Sequence, residues 1–141
     1  MSDFHNLSRF IDAQKHKYES VVEELRDGRK YGHWMWYIFP QIAGLGASFR
    51  SQTYAIASLQ EATAYYDHVI LGSRLRECTK YVSDINDRTT VEIFGHTDHL
   101  KFRSSMTLFL CATNDDLFSN ALSKYYDSER DPLTLRLLDL S

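Results

Sequence analysis

The sequence predicts an all-α fold: a single compact orthogonal domain over residues 1–141, with about seven helices around a central apolar helix near 99–112. Three observations predict it. Only 2 Pro and 6 Gly occur among 141 residues, too few breakers for a turn-rich β-sandwich and in keeping with long uninterrupted helices. Apolar side chains recur at three- and four-residue steps along most of the chain, and no segment reads convincingly as a strand. Hydrophobic residues make up 43% and charged residues 25%, a globular balance that excludes disorder and collagen-like repetition.

The first amphipathic helix carries Leu7, Phe10, Ile11, Gln14, Tyr18, Val21, Val22 and Leu25 on one face, with Asn6 as its cap and Gly28 as its left-handed stop. After the basic turn Arg26, Arg29 and Lys30, which reads as a solvated helix end, six residues from Trp34 to Phe39 are all apolar or aromatic. Periodicity does not separate a buried strand from a buried helical turn there. Helical flanks and the lack of partner strands select a short buried helix, ended before Pro40. Gly44 and Gly46 mark a loop. The pattern is helical again from Ser51 through Tyr54, Ile56 and Ala57, and Ser58 to Glu61 has capping-box spacing for a helix to about Tyr66.

A helix from Val69 to Ile85 follows, with Val69, Leu71, Leu75, Cys78, Thr79 and Val82 as its inner stripe. Thr89 or Thr90 caps one turn, Val91 to Phe94, ended by Gly95. Asp98 caps the helix over 99–112, whose second half from Met106 to Ala112 is apolar nearly all round and therefore central. Asp115 or Asp116 opens a helix through Phe118, Leu122 and Tyr125. Asp131 and Pro132 supply an N-cap and a first helical residue for a last helix, Leu133 to Leu140.

Charge and cysteine mostly exclude. Sixteen Lys and Arg against 19 Asp and Glu give a net charge of −3, leaving no basic surplus to neutralise a nucleic-acid polymer. No apolar run approaches the ~18 residues of a membrane span, and the start MSDFHNLSRF has no signal-peptide core, so a cytoplasmic location is expected. Cys78 and Cys111 lie in apolar helical patterns and read as two buried thiols. His96 and His99 straddle a cap with only Asp98 beside them, too few ligands for zinc; no metal and no cofactor is expected.

The strings HWMWYIFPQ-x-x-GLG, YAI-x-SL-x-EA, LG-x-RL-x-EC, IFG and LK-x-RSSMTLF occur in this order, with RF-x-x-AQ near the start. On these motifs the chain resembles the mostly bacterial family known as domain of unknown function 1810, from about Leu7 to Leu138. The resemblance implies a predominantly helical single domain and supplies no assigned enzymatic activity. The calpastatin-like label sometimes attached to that family fits poorly, because calpastatin is disordered, repetitive and Pro-rich, and this chain is compact and aromatic.

Two segments carry residue types suited to chemistry. Lys101, Ser104 and Ser105 share one face of the first turns of the helix opening at Asp98, where a lysine, two hydroxyls and free backbone N–H groups suit a phosphate or carboxylate. The structural alternative, which weighs more, has Lys101 solvated or paired with Asp98 and both serines bonded to preceding carbonyls. In His33-Trp34-x-Trp36 the indoles offer stacking surface and His33 is the candidate acid or base near neutral pH. A tryptophan-rich core is the competing reading, and for the two indoles the preferred one.

Together His33, Trp34, Trp36, Lys101, Ser104 and Ser105 define an expected site for a small anionic, ring-containing ligand such as a nucleotide, with Arg76 and Arg103 as additional charges. The alternative is a non-catalytic interaction module, such as a homodimer, whose apolar excess covers a partner. It rests on the adjacent tyrosine pairs Tyr65, Tyr66 and Tyr125, Tyr126, in which one ring of each pair should be poorly buried. The motifs of Walker loops, dinucleotide-binding turns, nucleophile elbows and zinc proteases are missing, so no reaction is assigned.

Overall fold

The computed structural model describes residues 3–139, and within them it is helical throughout. Ten helices follow one another: α1 (Ser8–Gln14), α2 (Tyr18–Arg26), α3 (Met35–Ile38), α4 (Phe49–Thr53), α5 (Leu59–Asp67), α6 (Leu71–Ser83), α7 (Thr90–Phe94), α8 (His99–Thr113), α9 (Asp116–Tyr126) and α10 (Pro132–Leu137). The expected number was about seven. Most of the difference comes from short helices that apolar spacing runs together.

The first such case is α1 and α2. The apolar stripe from Leu7 to Leu25 is continuous, yet Lys15, His16 and Lys17 form a turn that splits it. Asn6 is not the cap: its φ is +52°, and the Asp3 carboxylate accepts from Leu7 N and Ser8 N at 2.7 and 2.9 Å. Gly28 does end α2 in the left-handed region, with φ +79°. The second case is the segment from Ser51 to Ala57. Its helix, α4, starts earlier under a Ser48 cap and stops at Thr53, and Ile56 instead makes an isolated parallel bridge to Ile42.

Other elements stand as expected. Trp34 to Phe39 holds the short buried helix α3, ending ahead of Pro40. Ser58 Oγ accepts from Glu61 N at 3.1 Å. The Glu61 carboxylate reaches Ala57 N and Arg9 rather than the Ser58 amide, so the box is only half closed. The complete capping box is at Thr89 and Glu92, opening α7. Asp115 caps α9 and Asp131 caps α10; Leu140, the expected end of that helix, lies outside the described residues. Val69 departs from the expected inner stripe, being 81% exposed just ahead of α6, while Leu71, Leu75, Cys78, Thr79 and Val82 are buried.

Helix α8 is the hub. Phe102 and every residue from Ser104 to Leu110 are buried, and the helix packs against α5, α7, α9 and α10. Helix α6 packs on α2, α5 and α9, and α3 lies against α1 and α6. The aromatic excess fills this centre: Phe39, Phe94 and Phe102 meet edge-to-face and stacked at 4.9–6.1 Å between centroids. Offset and edge-on contacts of this kind add stabilisation beyond burial alone. One polar side chain is threaded into the core. The Gln14 amide is fully buried, donating to Tyr37 O at 2.8 Å and Tyr65 Oη at 3.1 Å and accepting from Arg74, so its desolvation is compensated.

None of the four paired tyrosines is exposed. Tyr65 is buried, and Tyr66, Tyr125 and Tyr126 are half-buried with their hydroxyls tied to Asp115, to Val82 O and Ile85 O, and to His99 O. A ring that the sequence would leave at the surface is instead laid flat over the core with its polar end satisfied. No helix among the described residues is long and apolar enough to cross a membrane.

Candidate functional site

Two loops build the site. After α2, Gly28 turns the chain back so that Lys30 N donates to Ile93 O at 2.7 Å, pinning the strand-like linker 29–34 beside α7. After α7, Gly95 (φ +87°) turns the chain into α8. These two turns bring Lys30 and the loop at Thr97 and Asp98 face to face. The Asp98 carboxylate sits between them, with Oδ2 2.7 Å from Lys30 Nζ and Oδ1 2.8 Å from Lys101 Nζ. Asp98 occupies the N-cap position of α8 but makes no cap bond with its side chain, because both oxygens are taken by the lysines.

Burial works against the Asp98 charge, but the hydrogen bonds from Lys101 and Lys30 outweigh it and hold the carboxyl below its ordinary value of 3.8. A carboxyl depressed in the folded state contributes stability above its unfolded pKa, and that contribution is lost as pH falls through the folded value. Asp98→Asn should therefore lower stability at pH 7 by about 1.5–3 kcal/mol, the worth of a charge-assisted hydrogen bond. Urea denaturation from pH 7 downward checks this, since the gap between variant and wild type should narrow as pH falls below 3.8.

Beside this ion cluster lies a cleft of about 390 Å³, lined by Lys30, Tyr31, His33, Met35, Trp36, Arg50, Phe94, Thr97, Asp98 and Lys101. Three of the residues singled out from sequence meet here: His33, Trp36 and Lys101. The Lys101 ammonium lies 5.0 Å from the Trp36 ring centre, a cation–π contact that holds the lysine along the indole face. Three cationic side chains, Lys30, Arg50 and Lys101, and one carboxylate, Asp98, thus line the cleft beside Trp36.

A second lobe of about 400 Å³ adjoins the first, lined by Lys17, Ser20, Glu24, Gly32, His33, Trp34, Tyr37 and Arg50. His33 and Arg50 belong to both lobes and form the ridge between them, and the Arg50 guanidinium donates to the His33 carbonyl. The chain entering α3 divides between the two lobes: Met35 and Trp36 line one, while Trp34 and Tyr37, three residues apart and so on one helical face, line the other.

Trp34 is 3% exposed, and its indole N–H donates to Glu24 Oε1 at 3.0 Å. The same oxygen accepts from Tyr31 N and Gly32 N at 2.5 and 2.9 Å. Desolvation opposes the Glu24 charge, but those N–H groups and nearby Lys30 prevail, and the carboxyl is held below the usual range.

Ser104 and Ser105 do not line either lobe. Ser104 Oγ donates to Asp131 Oδ2 at 3.0 Å and to Leu100 O at 3.2 Å, joining a buried group in which Asp131 also accepts from Thr134 and Arg103. Ser105 is fully buried, with no partner for its hydroxyl among the described residues. A shared helical face is a statement about Cβ positions; Lys101 reaches outward past the helix start, while the serines sit a turn deeper. Arg103 turns to Glu129 and Asp131, and Arg76 stacks on Tyr66, so neither joins the cleft.

The sequence reading missed Lys30, Arg50, Tyr31 and Glu24. Lys30 belongs to a cluster that looks like any solvated helix end, and Arg50 lies 17 residues from the carbonyl it reaches, a separation no local pattern exposes.

Cys78 and Cys111 are free, the first buried and the second half-buried. Burial pushes the Cys78 thiol up to about 12, so it is no nucleophile at neutral pH. No group of three or more His, Cys, Asp or Glu among the described residues is arranged to hold a metal ion.

Comparison with known proteins agrees with this architecture. The structure superposes on the crystal structure of the conserved hypothetical protein Rv1873 from Mycobacterium tuberculosis with a TM-score of 0.96. The two are 51% identical, over 99% of this chain and 100% of that one. No protein with a curated description matches. The family model described as "Protein of unknown function (DUF1810)" matches residues 4–138, so the chain belongs to that family.

Proposed function

We propose that the cleft between Lys30 and Lys101 binds a small anion that carries a ring, a nucleotide-like compound. The observation that carries the reading is the convergence of two ammonium groups on the single Asp98 carboxylate, beside Arg50 and against the Trp36 face. Two lysines on one carboxylate leave positive charge unneutralised and available to an incoming phosphate. Trp36 and Tyr31 supply ring surface, and the 70% exposure of Tyr31 leaves it free to close on a bound ring. His33 stands at the edge with no hydrogen bond to its ring among the described residues, and is the candidate acid or base should the bound compound react.

The site draws on His33, Trp36 and Lys101 from the original set. Ser104 and Ser105 serve α8 and its packing instead, and Trp34 forms a wall of the adjoining lobe.

Thermal-shift measurements against AMP, ADP, UMP, UDP, sugar phosphates and dicarboxylates test the reading. A ligand at a hundredfold excess over its dissociation constant stabilises by about 2.7 kcal/mol, a shift of several degrees. Lys101→Ala should cost at least about tenfold in affinity, the equivalent of one charge-assisted hydrogen bond. Asp98→Asn should tighten binding, because it removes the anion that competes for both lysines. A panel without hits, or a hit that Lys101→Ala and Asp98→Asn leave unchanged, would set the reading aside.

A further inference from the structure

The second lobe, though it too carries cations in Lys17 and Arg50, presents its carboxylate differently from the first. Its one carboxylate, Glu24, is fixed: Oε1 accepts three N–H groups, and Oε2 has no hydrogen-bond partner among the described residues. A rigid carboxylate with an open oxygen accepts from hydroxyl groups and repels phosphate. Ser20, exposed on the wet face of α2, lies on the same wall. The first lobe, with Lys30 and Lys101, favours negative charge. Between them stands the ridge of His33 and Arg50. The contact of Arg50 with the His33 carbonyl engages one terminal nitrogen, so the rest of the guanidinium fork is available to an anion lying across the ridge.

We propose that the two lobes form one bipartite site for a nucleoside diphosphate that carries a sugar, with the base against Trp36, the diphosphate crossing the ridge at Arg50 and the sugar hydroxyls on Glu24. This inference rests on the anion-binding reading above and narrows its ligand class. The open Glu24 oxygen, set against the ion-paired Asp98 at the other end, orders the ligand: anion and ring in the first lobe, hydroxyl groups in the second. A mononucleotide uses the first lobe alone and leaves the open Glu24 oxygen without a partner.

Titration calorimetry with two matched pairs of probes, ADP with ADP-ribose and UDP with UDP-glucose, tests this. In at least one pair the sugar-bearing member should bind ten times more tightly or better. Glu24→Gln should abolish that difference, because the open position no longer accepts a hydroxyl, while the amide oxygen still accepts the three N–H groups that shape the loop. Ser20→Trp, on an exposed helix face, fills the lobe without touching the core and should abolish the difference in the same way.

Equal affinity within both pairs would overturn the bipartite site and leave the anion site standing. A difference that survives both Glu24→Gln and Ser20→Trp would overturn it as well. If none of the four probes binds at millimolar concentration, the bipartite site falls, and the anion site stands or falls with the wider thermal-shift panel.

Discussion

Replacing Gly72 by alanine is expected to destabilise the protein by about 2–3 kcal/mol, despite adding a better helix former. Alanine normally gains up to about 1 kcal/mol over glycine within a helix. Here a Cβ would lie 1.9 Å from the Tyr66 carbonyl oxygen and 2.8 Å from its carbon. Both are backbone atoms at the end of α5, so no side chain can swing aside to make room. The chain folds back tightly from α5 into α6, with Gly72 N donating to His68 O at 2.8 Å, and the first turn of α6 rests directly on the last turn of α5.

Overpacking in such a place costs about 1–3 kcal/mol and at times more, because neighbouring elements must separate. A fall in melting temperature of roughly 6–10 °C follows for a chain of this size. Gly95→Ala is the instructive comparison. Nothing lies within 4 Å of its added Cβ, so the cost there is the backbone alone, φ +87° with ψ 168°, a region essentially confined to glycine, about 1–3 kcal/mol. If Gly72→Ala melts at or above the wild-type temperature, the close approach of α5 and α6 is wrong.

Phe102→Ala should cost more, about 3–5 kcal/mol. The ring is fully buried in α8, 4.9 Å from Phe39 in an edge contact, 5.1 Å from Phe94 in a stacked one and 6.5 Å from Tyr126. Truncation removes the transfer contribution of a whole ring and leaves a cavity that three other rings, each held by its own helix or loop, cannot fill without moving. Phe102→Leu retains most of the volume and should lose less than half as much. Urea denaturation with an unchanged m-value checks both, and a loss under about 1.5 kcal/mol for alanine would show that the site collapses freely. Because Phe94 also lines the cleft, the alanine variant should weaken ligand binding as well.

Helices with one apolar face, or apolar all round, were legible from the chain. The stripe of α6, the wholly apolar second half of α8, and the caps at Ser58, Thr89, Asp115 and Asp131 all express local rules: spacing, side-chain oxygen, turn residue. What was not legible depends on contacts distant in sequence. The break at Lys15 to Lys17 leaves the apolar period intact. Asp98 has the sequence context of an N-cap, and only the return of Lys30 across the fold draws its oxygens away from the helix. The bond of Ser104 to a preceding carbonyl, Leu100 O, was legible; its second partner, Asp131, 27 residues on, was not. For the site, the sequence located two of the facing segments through their unusual residues, His33 with Trp36 and Lys101. It had no means of finding Arg50 or Lys30, whose roles come from where loops without periodicity carry them.

The central claim is that an anionic, ring-bearing compound occupies the cleft between Lys30 and Lys101. Heteronuclear NMR of the labelled protein, titrated with AMP, ADP, UMP and UDP, tests it most directly, because the two tryptophans give two distinct indole resonances. With at least one of these compounds the Trp36 indole and the backbone amides of His33, Asp98 and Lys101 should shift together along a saturable curve, and Lys101→Ala should weaken the response. The account is contradicted if none of the four moves these resonances at millimolar concentration, or if the shifts gather elsewhere, on α6 and α9 for example, while Trp36 stays still.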